Sequence, residues 1–86
     1  MMRLQWTQNF KKDYQALSEE IKKRVKKQLK IIKQNPHHPS LHTKKMNDLR
    51  DIWEARVTES YRFTFQIEKD IYILRRVGTH DILRNP

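Results

Sequence analysis

Four side chains in this sequence have the chemistry to hold and cut a phosphodiester: Arg56, Arg62, His80 and His42. Arg56 and Arg62 flank the turn Thr58-Glu59-Ser60, which places them on neighbouring strands and on one predicted face. Like charges set side by side on a sheet repel. A bound phosphate removes that cost, because guanidinium forks take phosphate oxygens with paired hydrogen bonds. The plainer reading gives each arginine a local carboxylate, Arg56 with Glu54 or Glu59 and Arg62 with Glu68. His80 follows Gly78-Thr79 at the end of a later strand. An imidazole gives or takes a proton near neutral pH. Cutting RNA through its own 2′-hydroxyl needs a base for the hydroxyl, a cation for the charge on phosphorus and an acid for the leaving oxygen. His80 and the arginines supply two of these. His42, just before Lys44-Lys45, is a second proton-transfer candidate. The plain alternatives are a structural histidine held by backbone at 80 and a solvated loop histidine at 42.

His37, His38 and His42 raise the question of a metal, but their spacing matches no zinc pattern and no cysteine is present to complete one. No metal or cofactor is expected. The segment after Glu20 carries Lys22, Lys23, Arg24, Lys26, Lys27, Lys30 and Lys33 with no acid among them. Lysines of like sign at i, i+4 destabilise an isolated helix by a few tenths of a kcal/mol per pair. A merely solvated face would intersperse glutamates, so these lysines, with Lys44 and Lys45, are expected to face a polyanion. Trp53 and Tyr61 read as core, with base stacking as the alternative.

The elements that must position these groups follow from periodicity. Met2–Trp6 alternates weakly and reads as a strand ahead of Thr7, a helix N-cap. Phe10, Tyr14 and Leu17 share one face of a first helix. Ser18 caps a second, with Glu19 and Glu20 in its first turn. Ile21, Val25, Leu29 and Ile32 form its buried stripe, and Asn35-Pro36 ends it. The short joint makes the two helices a hairpin. Pro36–Thr43 is a loop and Lys44–Arg50 is ambiguous. Strands are predicted at Ile52–Val57, Tyr61–Glu68 and Ile71–Val77, with Asp81–Pro86 a short tail. In the first, Trp53, Ala55 and Val57 oppose Ile52, Glu54 and Arg56. In the second, Tyr61, Phe63, Phe65 and Ile67 oppose Arg62, Thr64 and Gln66. Ile71–Leu74 is apolar on both faces, which suggests a central strand covered on both sides. The order is β-α-α-β-β-β, an α+β fold: an antiparallel sheet with a two-helix hairpin on one face. Glu54, Arg56 and Arg62 belong to the other face, which is expected to stay open.

Residues 1–86 make one expected domain with a small core, since a chain this short buries only roughly 60% of its unfolded surface. The site is therefore expected to be a surface cleft. The formal net charge is +9, and all of that excess lies ahead of residue 51: residues 51–86 carry as many Asp and Glu as Lys and Arg. That makes a polyanion or an acidic protein the natural partner. With no cysteine, no membrane-length apolar run and no secretion signal in Met1–Trp6, a soluble cytoplasmic protein is the default.

The whole chain resembles the RelE/ParE superfamily of toxins from bacterial toxin–antitoxin modules. The stretch Asn47–Phe65, NDLRDIWEARVTESYRFTF, resembles the YoeB type, and RRVGTHDIL resembles the Gly-Thr-His close of the YafQ type. The resemblance implies a metal-independent, ribosome-dependent endoribonuclease that cuts mRNA in the A site of the 70S ribosome. It also implies an acidic antitoxin that holds the toxin off. Arg62 falls on the arginine that contacts the scissile phosphate, Arg56 on another active-face arginine, and His80 on the C-terminal catalytic histidine. The lysine-rich helix, with Lys22, Lys23, Lys26, Lys27 and Lys30, would face ribosomal RNA. The sequence departs from the pattern in places. The YoeB-type glutamate base falls near Thr43, with His42 beside it; Asp81 stands where that type has an aromatic residue; Ser60-Tyr61 replaces the YafQ-type Asp-Trp. ParE-type members share the fold and poison DNA gyrase instead. A gyrase inhibitor and a degenerate toxin that binds antitoxin or RNA without cleavage are therefore the two rival readings.

Overall fold

Trp6 starts the core. In a computed structural model, which describes residues 2–47 and 50–86, Leu4 and Trp6 are the half-buried residues of β1 (Arg3–Trp6), and Arg3 and Gln5 are exposed. Leu49 of the YoeB-like stretch lies outside the described residues, as do Met1 and Asp48. The Trp6 ring meets Phe10 and Tyr14 edge-on, with centroids 4.9 and 5.0 Å away. Both belong to α1 (Gln8–Gln15), which Thr7 caps by accepting from the Phe10 N–H at 3.2 Å. The same hydroxyl donates to the Leu74 carbonyl at 2.7 Å, so one side chain starts the helix and fastens it to the sheet.

Ser18 caps α2 (Glu19–Gln34) by accepting from the Ile21 N–H at 3.3 Å. Glu19 and Glu20 lie in its first turn, where the helix dipole favours anions. Val25, Leu29 and Ile32 are buried as expected, and Ile21 is half-buried. Gln28 is buried among them. Its amide donates to the Arg56 carbonyl at 2.8 Å and to the Ser40 carbonyl at 3.3 Å. A polar residue inside an apolar stripe thus ties α2 to β3 (Trp53–Arg56) and to a short 3-10 helix, Pro39–Leu41. Asn35 is extended ahead of Pro36, which stops α2.

The sheet has five strands in the order β1-β5-β4-β3-β2, where β2 is Lys44–Lys45, β4 is Tyr61–Glu68 and β5 is Ile71–Thr79. The ambiguous segment therefore contributes an edge strand. The sheet is antiparallel except at β1, which runs parallel to β5 with Arg3 beside Ile71 and Trp6 beside Leu74. That exception follows from the connection, because a crossover through helices allows the parallel pairing that a tight turn forbids. Phe10, Val25, Leu29 and Ile32 pack with Phe63, Leu74 and their neighbours in a single core between helices and sheet.

One feature was not anticipated and two expectations need correction. Between β4 and β5 the register shifts: Thr64 lies opposite Arg76 and Phe65 opposite Leu74, so Arg75 is the extra residue of a β-bulge. β5 is central, yet it is not covered on both faces, since Tyr72 and Leu74 are buried while Ile71 and Ile73 are only partly so. Nor does the chain end in a loose tail. His80–Arg84 forms a second 3-10 helix that buries Ile82. Arg75 Nε donates to the Pro86 carbonyl at 3.0 Å and Arg76 Nη1 to the Asn85 carbonyl at 3.2 Å, and Pro86 is buried. A Cβ at Gly78 would come within 2.9 Å of Ile82 Cγ2, so a larger residue there requires the Ile82 side chain to shift. Ile52 and Ile82 are buried outside the main core cluster, and the face opposite the helices is therefore partly covered.

Candidate active site

Two adjacent rows of side chains cross the sheet on that opposite face. In the first, Arg56 lies directly opposite Arg62, and Arg62 opposite Gly78. In the next, Lys44 lies opposite Glu54, Glu54 opposite Thr64, and Thr64 opposite Arg76. Arg62 Nη1 contacts Glu54 Oε1 at 3.0 Å, with the side chains 19% and 10% exposed. Glu54 thus pairs with Arg62, where the local reading gave Arg62 to Glu68 and offered Glu54 to Arg56.

Arg56 Nε, Arg62 Nε and Thr64 Oγ1 are buried and have no hydrogen-bond partner among the described residues. A buried donor left unmade costs about 1–3 kcal/mol, more on a charged group. Both nitrogens lie out of solvent on facing strands, and the two arginine side chains as a whole are half-buried.

His80 opens the C-terminal 3-10 helix immediately after Thr79, which pairs with Tyr61 next to the Arg62–Gly78 rung. Its side chain is exposed and has no hydrogen bond among the described residues. The strand end and the Gly78 contact position its backbone. His42 is placed differently. It closes the first 3-10 helix in a left-handed conformation, φ 45°, and is exposed. It lines a pocket with His37, His38, Pro36, Pro39 and Thr43. His38 Nδ1 in this loop accepts from the Ser40 N–H at 3.1 Å. Among the described residues no three His, Asp or Glu side chains are grouped to hold a metal.

The predicted RNA-binding lysines separate into groups. Lys23 and Lys27 line a groove of about 460 Å³ with Arg24, Gln28, Ser40 and Val57, between α2 and the sheet. Lys26 and Lys30 are exposed. Lys22 leans on the Tyr14 ring at 5.6 Å and on Glu19 at 3.5 Å. Lys44 and Lys45 point to opposite faces, as successive strand residues must. Lys44 stands beside Glu54, whereas Lys45 lies 6.0 Å above the Trp53 ring and 3.0 Å from Asp51.

A third polar group escaped the sequence reading. Asp13 of α1 accepts from Arg76 Nε at 2.6 Å and from the Val77 N–H at 3.1 Å. The signal was present: Asp13 falls three residues after Phe10, on the buried side of α1, where an unpaired carboxylate is rare. Arg75-Arg76 within an otherwise apolar strand was its visible counterpart.

Fold and site together define a small α+β protein of RelE-like architecture with arginines across the sheet face opposite its helices. YafQ from E. coli strain BL21(DE3) is similar with a TM-score of 0.79 and 15% identity, over 96% of this chain and 98% of that one. The YoeB dimer from Staphylococcus aureus gives 0.77 and 14%, over 92% and 97%. A chain of the RelB-RelE antitoxin-toxin complex from Methanococcus jannaschii gives 0.75 and 21%, over 94% and 95%. At such identities the likeness establishes the fold. No curated protein matches the sequence closely enough to count. Residues 4–83 match the family described as ParE toxin of type II toxin-antitoxin system, parDE, and the chain belongs to that family, within the RelE/ParE superfamily of toxins.

Proposed function

We propose that this toxin is a ribosome-dependent endoribonuclease that cuts mRNA and so stops translation. The observation that carries the reading is the facing pair of half-buried arginines, Arg56 and Arg62, set side by side on neighbouring strands of the sheet whose last strand leads into His80. Arg62 and Arg56 hold the scissile phosphate and stabilise the charge that builds on it. His80 protonates the leaving 5′-oxygen. Lys23, Lys27, Lys26 and Lys30 on α2, with Lys22 and Lys44, bind the RNA backbone of message and ribosome, and Lys45 supports them from the other side of β2. The antitoxin partner is an acidic protein, in keeping with the net charge of +9 and with the antitoxin-toxin complex of the M. jannaschii relative.

The test is cleavage of a defined mRNA on programmed 70S ribosomes, with growth arrest scored in parallel. His80→Ala and Arg62→Ala are expected to lose both cleavage and arrest while circular dichroism reports a folded chain. Folded variants that remain fully toxic would sink the reading. A second reading, inhibition of DNA gyrase through protein contact, is favoured by the family match itself. It requires supercoiling to be inhibited by wild type and equally by His80→Ala.

A further inference from the structure

The pocket in the Pro36–Thr43 loop is lined by rings. The imidazoles of His37, His38 and His42 and the pyrrolidines of Pro36 and Pro39, with Thr43, enclose about 260 Å³, and no lysine, arginine or carboxylate is among them. We propose that this pocket takes an unpaired nucleobase of the message, next to the phosphate that Arg56 and Arg62 hold; the inference rests on the endoribonuclease reading. The loop is built to present these rings. Pro36 and Pro39 fix their own φ. Thr43 Oγ1 donates to the Pro36 carbonyl at 3.3 Å, which ties the end of the loop to its start. The His37 N–H donates to Asn35 Oδ1 at 3.1 Å, and buried Leu41 anchors the short 3-10 helix. A constrained backbone loses little freedom when a ligand enters. His38 is fixed further, because its Nδ1 accepts from the Ser40 N–H and a backbone N–H can only donate. The neutral ring therefore carries its proton on Nε2, a donor for the edge of a base. The His37 and His42 rings make no hydrogen bond among the described residues, so the fold itself does not use them.

The chemistry of the lining selects the occupant. A phosphate is poorly served, because neither Lys nor Arg lines the pocket. A metal ion lacks its ligand set, since no three ligating side chains are grouped among the described residues. A nucleobase suits both features: its flat face stacks on rings, and its edge takes hydrogen bonds from ring nitrogens. Placement links the pocket to the arginines. Gln28 Nε2 donates to the Ser40 carbonyl at 3.3 Å and to the Arg56 carbonyl at 2.8 Å, so the loop is held against the end of β3 that carries Arg56. At its other end the loop runs through Thr43 into Lys44, which lies opposite Glu54 in the row beside the Arg56–Arg62 pair. A message that leaves the arginine pair toward β2 passes this loop.

The test uses messages that lack one base but keep the backbone charge. An abasic nucleotide is placed in turn at each position flanking the scissile phosphate, in mRNA with a 2′-deoxy nucleotide at the scissile position so that it is not cut. The affinity of the toxin for 70S ribosomes programmed with each message is then measured. Wild type is expected to lose roughly 5- to 10-fold at one position and little at the others, the size of one base stacked on an aromatic side chain. His37→Ala is expected to bind the intact message more weakly by the same factor and to ignore the abasic position. His37→Phe keeps a ring and is expected to keep the preference. His37 is exposed and its described hydrogen bond comes from its backbone, so both variants are expected to fold. Equal binding of intact and abasic messages by wild type overturns the proposal, as does an abasic loss that persists in His37→Ala. A His37→Ala variant that weakens intact and abasic messages alike gives the ring to ribosomal RNA and overturns it too. Cutting of the all-ribose message by wild type is scored in parallel. A cut without base preference removes the pocket and leaves the endoribonuclease reading standing, whereas no cut removes both.

Discussion

Arg56 and Arg62 face each other across β3 and β4, so the folded chain holds two like charges together with their Nε atoms unsatisfied. Arg62 is compensated by Glu54, whereas Arg56 bonds no carboxylate among the described residues. Replacing Arg56 by Gln keeps part of the stem and removes the charge, and the bond from the Gln28 side-chain amide to the residue 56 carbonyl is untouched. Arg56→Gln is therefore expected to stabilise the isolated protein, by a few tenths to about 1 kcal/mol, the size of a cross-strand charge pair. It is also expected to weaken binding of mRNA to the loaded ribosome complex. Urea unfolding and a binding titration on the same preparation decide it. A less stable variant with unchanged binding would show that Arg56 is a packing residue. This opposition between stability and binding is how a functional site is expected to behave.

At the scale of elements, β5 does most of the organising. It pairs with β1 and β4, carries the bulge at Arg75 and leads through Gly78 into the helix that bears His80. Its link to α1 is the Asp13 carboxylate, which holds Arg76 and the Val77 N–H in a half-buried setting. Asp13→Ala leaves both without an acceptor and is expected to cost about 1–3 kcal/mol in urea unfolding; Asp13→Asn, which can still accept from Val77, is expected to cost less. Equal losses would mean that the backbone bond contributes nothing. β5 also buries Tyr72, whose hydroxyl is pushed above its ordinary value of 10.0 by desolvation. With the folded value raised, stability is insensitive to this group below pH 10.0 and falls as pH rises through the folded value, because the unfolded chain ionises first. Tyr72→Phe is expected to flatten that alkaline loss in thermal melts, compared with wild type at the same pH. Most of this architecture was legible in the sequence. Thr7 and Ser18 announced the helix starts, the alternation in 61–68 announced β4, and Gly78 before His80 announced the change of direction. The bulge was not legible, because a register shift depends on cross-strand packing of Phe65 against Leu74 and Tyr72 that no local pattern encodes. The parallel pairing of β1 was hidden for the same reason. The pairing of Glu54 with Arg62 was hidden as well, since three carboxylates lay within reach of the two arginines and only the register selects among them.

For the whole molecule, charge outweighs every other feature. A net +9 is confined to a particle with a radius of gyration of 11.6 Å, and the excess lies ahead of residue 51, on the side of the chain that makes α2. Such a particle repels itself, and salt screens that repulsion over about 10 Å at 0.1 M. The free protein is therefore expected to melt at higher temperature as salt is added. Binding to RNA must respond in the opposite sense, because each phosphate neutralised releases counterions that added salt forces back. Lys23 and Lys27 make the sharpest test, since both line the groove beside α2 rather than leaning on the chain as Lys22 does on Tyr14. The double variant Lys23→Gln, Lys27→Gln removes two charges without touching the Arg56–Arg62 row. It is expected to reduce the slope of log affinity against log salt by about 2, roughly one for each phosphate no longer neutralised. It is also expected to leave the single-turnover cutting rate of bound message unchanged and to melt slightly higher at low salt, where self-repulsion is greatest. A slope equal to that of wild type would place the α2 groove away from RNA. The charge of this helix would then have to be explained by its second natural counterpart, the acidic antitoxin, and the reduced salt dependence would show up in that protein's affinity for the same double variant.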